Sequence, residues 1–575
     1  MKEEIFSYIE KEKLGLFEKR ELKIFQNFIC KTKETKEIFK KLINFLSRNF
    51  VFENTKYLLN VFIKENTKEA IIKKQNFFSK LSEFSFDNKF LSNIKNNPPS
   101  WYPFYDIIVV TENENSFLYL KKNNIPSFLI NSERDLFEIS KYDVIQAIDC
   151  ETFSYTLEKL PQTIFLSSIE EVYLERYLIN LSRWKENILL LEKENVPSDI
   201  KEIIKFLVSF FPLIEKNNLA LFDKEELEKK IDSANKKIKE DLKKITLSGD
   251  SLVSLFVKGI PEEIKKLISE RIKEEGIFEE FVSFEIPLKL NEKELDNFFK
   301  KETKKRSFEF SFDLKRKANQ IIQINNKLNQ LEKSLLYFDF CSGLYKYARN
   351  KNFPKITNRF FMGNSKNIFL ENPQPISFFL DENQRGSILT GANSGGKTTL
   401  LEHILQILFL SYLGLPVDGE VEVPIFEETY YFAKNKGATN VGAFENLLNQ
   451  MASIKRKDSN ILILADEIEA LTEPGVAGEV IAYTLEYFLN EGCFCVFATH
   501  LGKEIISILP KHARIDGIEA KGLDENFNLI VDHNPVIGKL ANSTPELIIE
   551  KLAKTKEEPY FKFLFKKLDE RKNNK

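Results

Sequence analysis

Cysteine is scarce in this chain. The five present among 575 residues, Cys30, Cys150, Cys341, Cys493 and Cys495, form no Cys-x-x-Cys pair and no Cys/His cluster with the spacing of a zinc or redox site. A disulfide framework is therefore excluded, and the thiols read as reduced and structural; Cys493 and Cys495 fall on one face of a strand-like run. Long apolar runs are also lacking: the stretch 404–417 is too short to span a bilayer, and the opening MKEEIFSYIEKEKLG has no apolar signal core. These absences predict a soluble, cytoplasmic protein with no membrane contact. There is no excess of one charge either. A formal net charge of -2 gives no global basic field, so any nucleic-acid contact must come from local patches.

What is present is ordinary for folded chains: 43% apolar and 30% charged residues, with Phe (52) unusually common. The length implies roughly three to five units at about 150 residues each. Residues 1–100 read as helices rich in Lys, Glu and Phe, stopped at Asn97-Pro98-Pro99. From Tyr105 the pattern becomes strand (106–111), helix (116–123), strand (127–130), strand (143–148), a small α/β module over 101–160. Residues 161–340 read as helical and contain two segments with coiled-coil spacing. One is Leu227, Ile231, Ala234, Ile238, Leu242, Ile245; the other is Leu314, Ala318, Ile321, Ile324, Leu328, Leu331, Leu335, Phe338. They fit either an antiparallel arm carrying a tip at about 247–313 or two amphipathic helices packed on a core. In the expected tip lie Lys300, Lys301, Lys304, Lys305 and Arg306, followed by Lys315, Arg316 and Lys317. Such a run is either a solvated face or a set of phosphate contacts.

The chemistry is concentrated after residue 340. Gly391-Ala392-Asn393-Ser394-Gly395-Gly396-Lys397-Thr398 matches G-x-x-x-x-G-K-[ST], follows the apolar run Ser387-Ile388-Leu389-Thr390 and opens a helical pattern from Thr399. Glycines let backbone N–H groups turn toward phosphate, Lys397 can bridge β- and γ-oxygens, and the Thr398 hydroxyl can ligate Mg2+. A second apolar strand, 460–465, ends in Asp466-Glu467, suited to hold the Mg2+ shell and to polarise an attacking water. A third, 494–499, ends in His500, placed to sense a γ-phosphate. Three strand ends in this order predict an ATP hydrolase with ATP and Mg2+ as its ligands.

The run TGANSGGKTTLLEHI resembles the P-loop of the MutS family, in which Asn393 and the paired Gly395-Gly396 are more specific than a generic P-loop. Resemblance extends over 335–555, through the segment Asp339 to Ala348, the stretch 446–454, Ala498-Thr499-His500 and 534–542. It implies a multi-domain α+β fold: an α/β connector, a helical lever core, a coiled-coil arm with a DNA clamp, then an ABC-like P-loop α/β ATPase over 341–555 and a charged tail at 556–575. It further implies a homodimer clamping DNA in repair or recombination, with Thr399 added to the nucleotide contacts.

Departures from the family pattern narrow this. Ala392 replaces the usual Pro; Glu469-Ala470-Leu471-Thr472 with Glu473-Pro474 is similar to the second, non-mismatch-repair branch; Gly442-Ala443 stand where a Ser-Thr pair precedes the aromatic Phe444. The first hundred residues contain no Phe-x-Glu for probing a mismatch, and no Asp-Leu-His-Gly element of the small nuclease domain follows. The expectation is a clamp-bearing relative of that branch without the nuclease domain. A mismatch reader, or a scaffold that binds ATP with little hydrolysis, are the alternatives. ABC and SMC-type ATPases are disfavoured, because the Leu-Ser-Gly-Gly-Gln signature is absent and the periodic helices precede the P-loop.

Overall fold

The structure, a computed structural model, describes all residues except 19–21, 25–28, 84–86, 216–223, 245–259, 392–395, 434–440, 455–459, 468–473, 524–528, 542–544, 557 and 574–575. It divides into two compact units, Ile94–Leu331 and Met1–Asn93 with Glu332–Lys575.

In Ile94–Leu331, strands β1 (Ile107–Thr111), β2 (Ser127–Leu129), β3 (Val144–Ala147) and β4 (Thr163–Phe165) form a parallel sheet in the order β2-β1-β3-β4. β1 is buried along its whole length because helices cover both faces. Ile108 and Val110 meet Ile139 and Leu157, while Val109 meets Leu120 and Val172. β4, with only three residues, carries too little pattern to be read from sequence.

The helix Lys224–Leu242 buries Leu227, Ile231, Ala234 and Ile238 against Ile264, Ile268 and Ile272 of the helix Glu262–Glu274 and against the hairpin of β5 (Val282–Ser283) and β6 (Lys289–Leu290). Of the two arrangements the spacing allows, the packed helix is the one seen here, with Glu262–Glu274 rather than 314–338 as its partner. Heptad spacing identifies the buried face but not the partner that covers it; Ile245 lies outside the described residues. The second segment is buried at every periodic position from Leu314 to Phe338, spread over the helices Glu292–Arg316, Ala318–Ile321 and Gln323–Ala348.

The basic run at 300–306 is helical. It lies within the single helix Glu292–Arg316, where Lys304 Nζ donates to the Ser140 carbonyl at 3.4 Å and Lys315 Nζ to that of Phe165. Farther along, Phe308 and Phe310 pack on Tyr105, Ile107 and Ile164 of the α/β module.

In the second unit, a six-stranded sheet has the order β12-β13-β14-β10-β15-β16. Here β10 is Gly386–Gly391, β12 Glu428–Ala433, β13 Ile461–Asp466, β14 Phe494–Ala498, β15 Ala513–Leu523 and β16 Leu529–Val536. All pairs are parallel except β15 with β16. A smaller sheet joins β7 (Lys355–Ile356), β11 (Glu420–Val423), β8 (Phe360–Ser365) and β9 (Ile376–Leu380).

Residues 1–93 belong to this unit rather than forming the separate helical region expected at 1–100. Thr429 in edge strand β12 donates its N–H to Ile29 (2.8 Å) and accepts from Lys31 N–H (3.1 Å), so the N-terminal segment continues the sheet. Thr32 then caps the helix Lys33–Ser47, which lies on the helix Lys397–Tyr412 with Phe39 edge-on to Phe409 at 5.3 Å. The buried Asp339 carboxylate accepts from Val51 N, Phe52 N, Thr55 Oγ1 and Asn88 Nδ2, fastening the same region to the helix Gln323–Ala348. At the C-terminus a helix, Pro559–Asn573, packs on the helix Pro545–Thr555 where a charged tail was expected. The five cysteines are free thiols, and burial pushes Cys30 and Cys341 up to about 12. Among the described residues no helix is long and apolar enough to cross a membrane.

Candidate nucleotide site

Three adjacent parallel strands, β13, β14 and β10, end at the same edge of the sheet. In open α/β sheets this edge, beyond the carboxyl ends of the strands, is where ligands bind. Each of the expected chemical groups follows directly from one of these ends.

β10 closes on Gly391, whose φ of 132° is open to glycine alone, and a Cβ there would meet the Ile518 carbonyl oxygen at 2.4 Å. Ala392, Asn393, Ser394 and Gly395 lie outside the described residues. The loop re-emerges at Gly396 (φ 91°), the N-cap of the helix Lys397–Tyr412. Lys397 is buried, with Nζ donating to the Gly391 carbonyl at 2.8 Å and standing 4.0 Å from Glu467 Oε1. Its ammonium is thereby turned back to the end of β10, near a helix N-terminus, which attracts anions.

Thr398 Oγ1 donates to Asp466 Oδ2 at 2.5 Å, bringing a hydroxyl and a carboxylate oxygen into contact. Two hard oxygen donors suit Mg2+, which rarely takes a full set of protein ligands. Glu467 follows with φ 49°, the left-handed region, its N–H donating to the Ala498 carbonyl at 3.0 Å. That pairing with the end of β14 turns the chain so that Glu467 Oε1 lies 2.7 Å from His500 Nε2. Thr499, just before it, donates its N–H to Leu389 of β10 at 3.0 Å, which ties the His500 end to the P-loop strand.

Thr399 is placed one residue deeper in the helix, and its carbonyl accepts from Asn367 Nδ2 at 3.5 Å. It begins a polar stripe with His403 and Gln406. Ser365 Oγ meets His403 Nε2 at 3.2 Å, and Gln406 bonds both Asn367 Oδ1 and Ile368 N at 3.0 Å. Burial pushes His403 down to about 4, so the imidazole is neutral.

Sequence reading misses one neighbour of the loop. His533, on β16, is close enough that a Cβ on Gly396 would stand 3.0 Å from its Nδ1. Its backbone N–H donates to Gln374 Oε1 at 3.2 Å, and Gln374 Nε2 donates to Asp532 at 2.7 Å. No local motif marks His533; only the antiparallel return of β16 beside β15 carries it to the P-loop. The segment 468–473 that follows Glu467, and the side chains of 441–444 that include Phe444, are not described, so the departures noted there lie outside the described residues.

The sheet, the glycine-bounded loop and the acidic strand end fit the P-loop nucleotide-binding class. No protein-family model matches the chain. It is 30% identical over 559 residues to the DNA-binding protein MutS2 of Pyrococcus furiosus, a match covering 91% of this chain and 96% of that protein. The chain belongs to the MutS family, in its MutS2 branch. With the Endonuclease MutS2 of Caldanaerobacter subterraneus it shares 25% identity over 380 residues, 60% of this chain and 46% of that one. With that of Thermotoga petrophila the figures are 26% over 217 residues, 36% and 29%, so the chain spans less than half of these bacterial relatives.

Proposed function

We propose that the chain is a Mg2+-dependent ATPase that binds DNA as a homodimer and couples nucleotide to its grip on DNA structure in repair or recombination. The observation that carries this reading is the Thr398–Asp466 contact with Lys397, Glu467 and His500 beside it. The N-terminus of the helix Lys397–Tyr412 would face the phosphates, and the Lys397 ammonium, now on the Gly391 carbonyl, would be available to neutralise them. Thr398 and Asp466 would hold Mg2+, which would supply neutralisation of phosphate charge. Glu467 takes the proton of the attacking water, oriented by His500, and His500 reads the γ-phosphate.

DNA binding is supported by the name of the Pyrococcus furiosus relative and by the basic residues of the helix Glu292–Arg316. Dimerisation is supported by the helix Pro559–Asn573, which leaves Tyr560 and Phe563 more than half exposed at 64% and 59%. In domain terms, 101–160 takes the connector's place, the helices after it the lever core, and the cluster around Lys224–Leu242 the clamp. A scaffold with little hydrolysis is the second reading, favoured by Gly442-Ala443 in place of hydroxyl residues.

The test is equilibrium binding of the full chain to matched and G·T-mismatched duplexes across a salt series, with and without ATP. Expected are nucleotide-dependent affinity, equal binding of both duplexes and a log-log salt slope of roughly -0.9 per phosphate neutralised. A preference of about tenfold or more for the mismatch (~1.4 kcal/mol) would reinstate the mismatch reader.

A further inference from the structure

One stripe of the helix Glu292–Arg316 combines basic residues with two of its aromatics. Lys301, Lys305, Phe308, Phe312 and Arg316 follow at steps of three and four, which places them on one side of the helix. The other side is fixed inward: Ser307, Ser311 and Leu314 are buried, and Phe310 packs on the α/β module, as does Phe308 at the border of the stripe. The rings of Phe308 and Phe312 are stacked, with centroids 5.9 Å apart and planes 14° from parallel. The Arg316 guanidinium lies 4.8 Å from the Phe312 centroid, and Phe312 is 37% exposed.

Charge identifies the occupant. Between 300 and 317 stand eight basic residues (Lys300, Lys301, Lys304, Lys305, Arg306, Lys315, Arg316, Lys317) against three acidic ones (Glu302, Glu309, Asp313). A duplex shows a helix its phosphates and base edges but keeps the faces of its bases stacked inside, whereas stacked, partly exposed phenyl rings suit flat π-faces, which a nucleic acid presents only where bases are unpaired. We propose that this stripe is a strand-binding site on which unpaired bases stack while Lys301, Lys305 and Arg316 follow the phosphates. The proposal rests on the DNA-binding reading above and adds the class of strand and the residues that hold it.

The test measures anisotropy of the full chain with a fluorescein-labelled oligothymidylate and with a blunt duplex of equal length. A strand carrying 2-aminopurine reports stacking directly. Phe312→Ala should weaken the single strand by about tenfold, and abolish the fluorescence change, while leaving the duplex within about twofold. Its salt slope should stay that of the wild type, whereas Lys301→Ala with Lys305→Ala should flatten it. Binding of the duplex but not of the oligothymidylate, or equal weakening of both by Phe312→Ala, overturns the proposal and leaves the DNA-binding reading standing. A polyglutamate peptide bound with the same dependence on Phe312 assigns the stripe to an acidic protein and also overturns it. If no DNA binds at all, the DNA-binding reading fails, and this proposal with it.

Discussion

Glu467 holds a left-handed backbone at φ 49°, a conformation that strains a non-glycine residue by about 1–3 kcal/mol and survives only where the surroundings enforce it. The enforcement is visible in the N–H bond to Ala498 and the carboxylate contact with His500. Gly391 is the complementary case, since both its φ of 132° and the Ile518 carbonyl at 2.4 Å forbid a side chain. Gly391→Ala should therefore abolish nucleotide binding in a nucleotide-fluorescence titration; unchanged affinity would show that the loop does not need this conformation. These residues were legible in sequence because a P-loop and an acidic strand end are local patterns. His403 was not, because a histidine within an apolar helix has no motif of its own. Its folded value of about 4 lies below the unfolded value of about 6.5. Between these values the unfolded chain binds a proton that the folded chain refuses, so stability is full above pH ~6.5 and falls as pH drops toward ~4. The loss attributable to His403 is about 3 kcal/mol. Urea unfolding of the wild type and of His403→Gln across this window checks it: the wild type should lose more stability on acidification, and parallel curves would remove His403 as the cause.

Strands β10, β13 and β14 were readable as elements because buried parallel strands are continuous apolar runs, and each ends where its chemistry begins. The N-terminal addition to the same sheet was not readable. Ile29 finds its partner Thr429 at a separation of 400 residues, and nothing in a three-residue pairing announces it. Helix partners were not readable for a related reason: the spacing of Leu227, Ile231, Ala234 and Ile238 defines a buried stripe but not the helix Glu262–Glu274 that covers it. Lys31→Pro should remove the N–H that reaches Thr429 and destabilise this unit by about 1–3 kcal/mol, read from its urea midpoint. An unchanged midpoint would mean that the edge of β12 does not depend on the N-terminal segment.

For the whole molecule, the compact unit that holds the P-loop is assembled from both ends of the sequence, which is why division by local pattern placed a boundary near residue 100. Dimerisation belongs to this scale. Sedimentation with a non-hydrolysable ATP analogue should give a dimer, and a nucleotide-bound monomer at micromolar concentration would contradict it. Hydrolysis itself is proposed to depend on Asp466, Glu467 and His500 acting as one site beside the P-loop. Steady-state ATP turnover by the full chain with Mg2+, beside that of Glu467→Gln, tests it most directly. Expected is Mg2+-dependent turnover in the wild type and a loss of about 100-fold or more in the variant, with nucleotide binding retained; equal turnover by the two proteins would contradict the account.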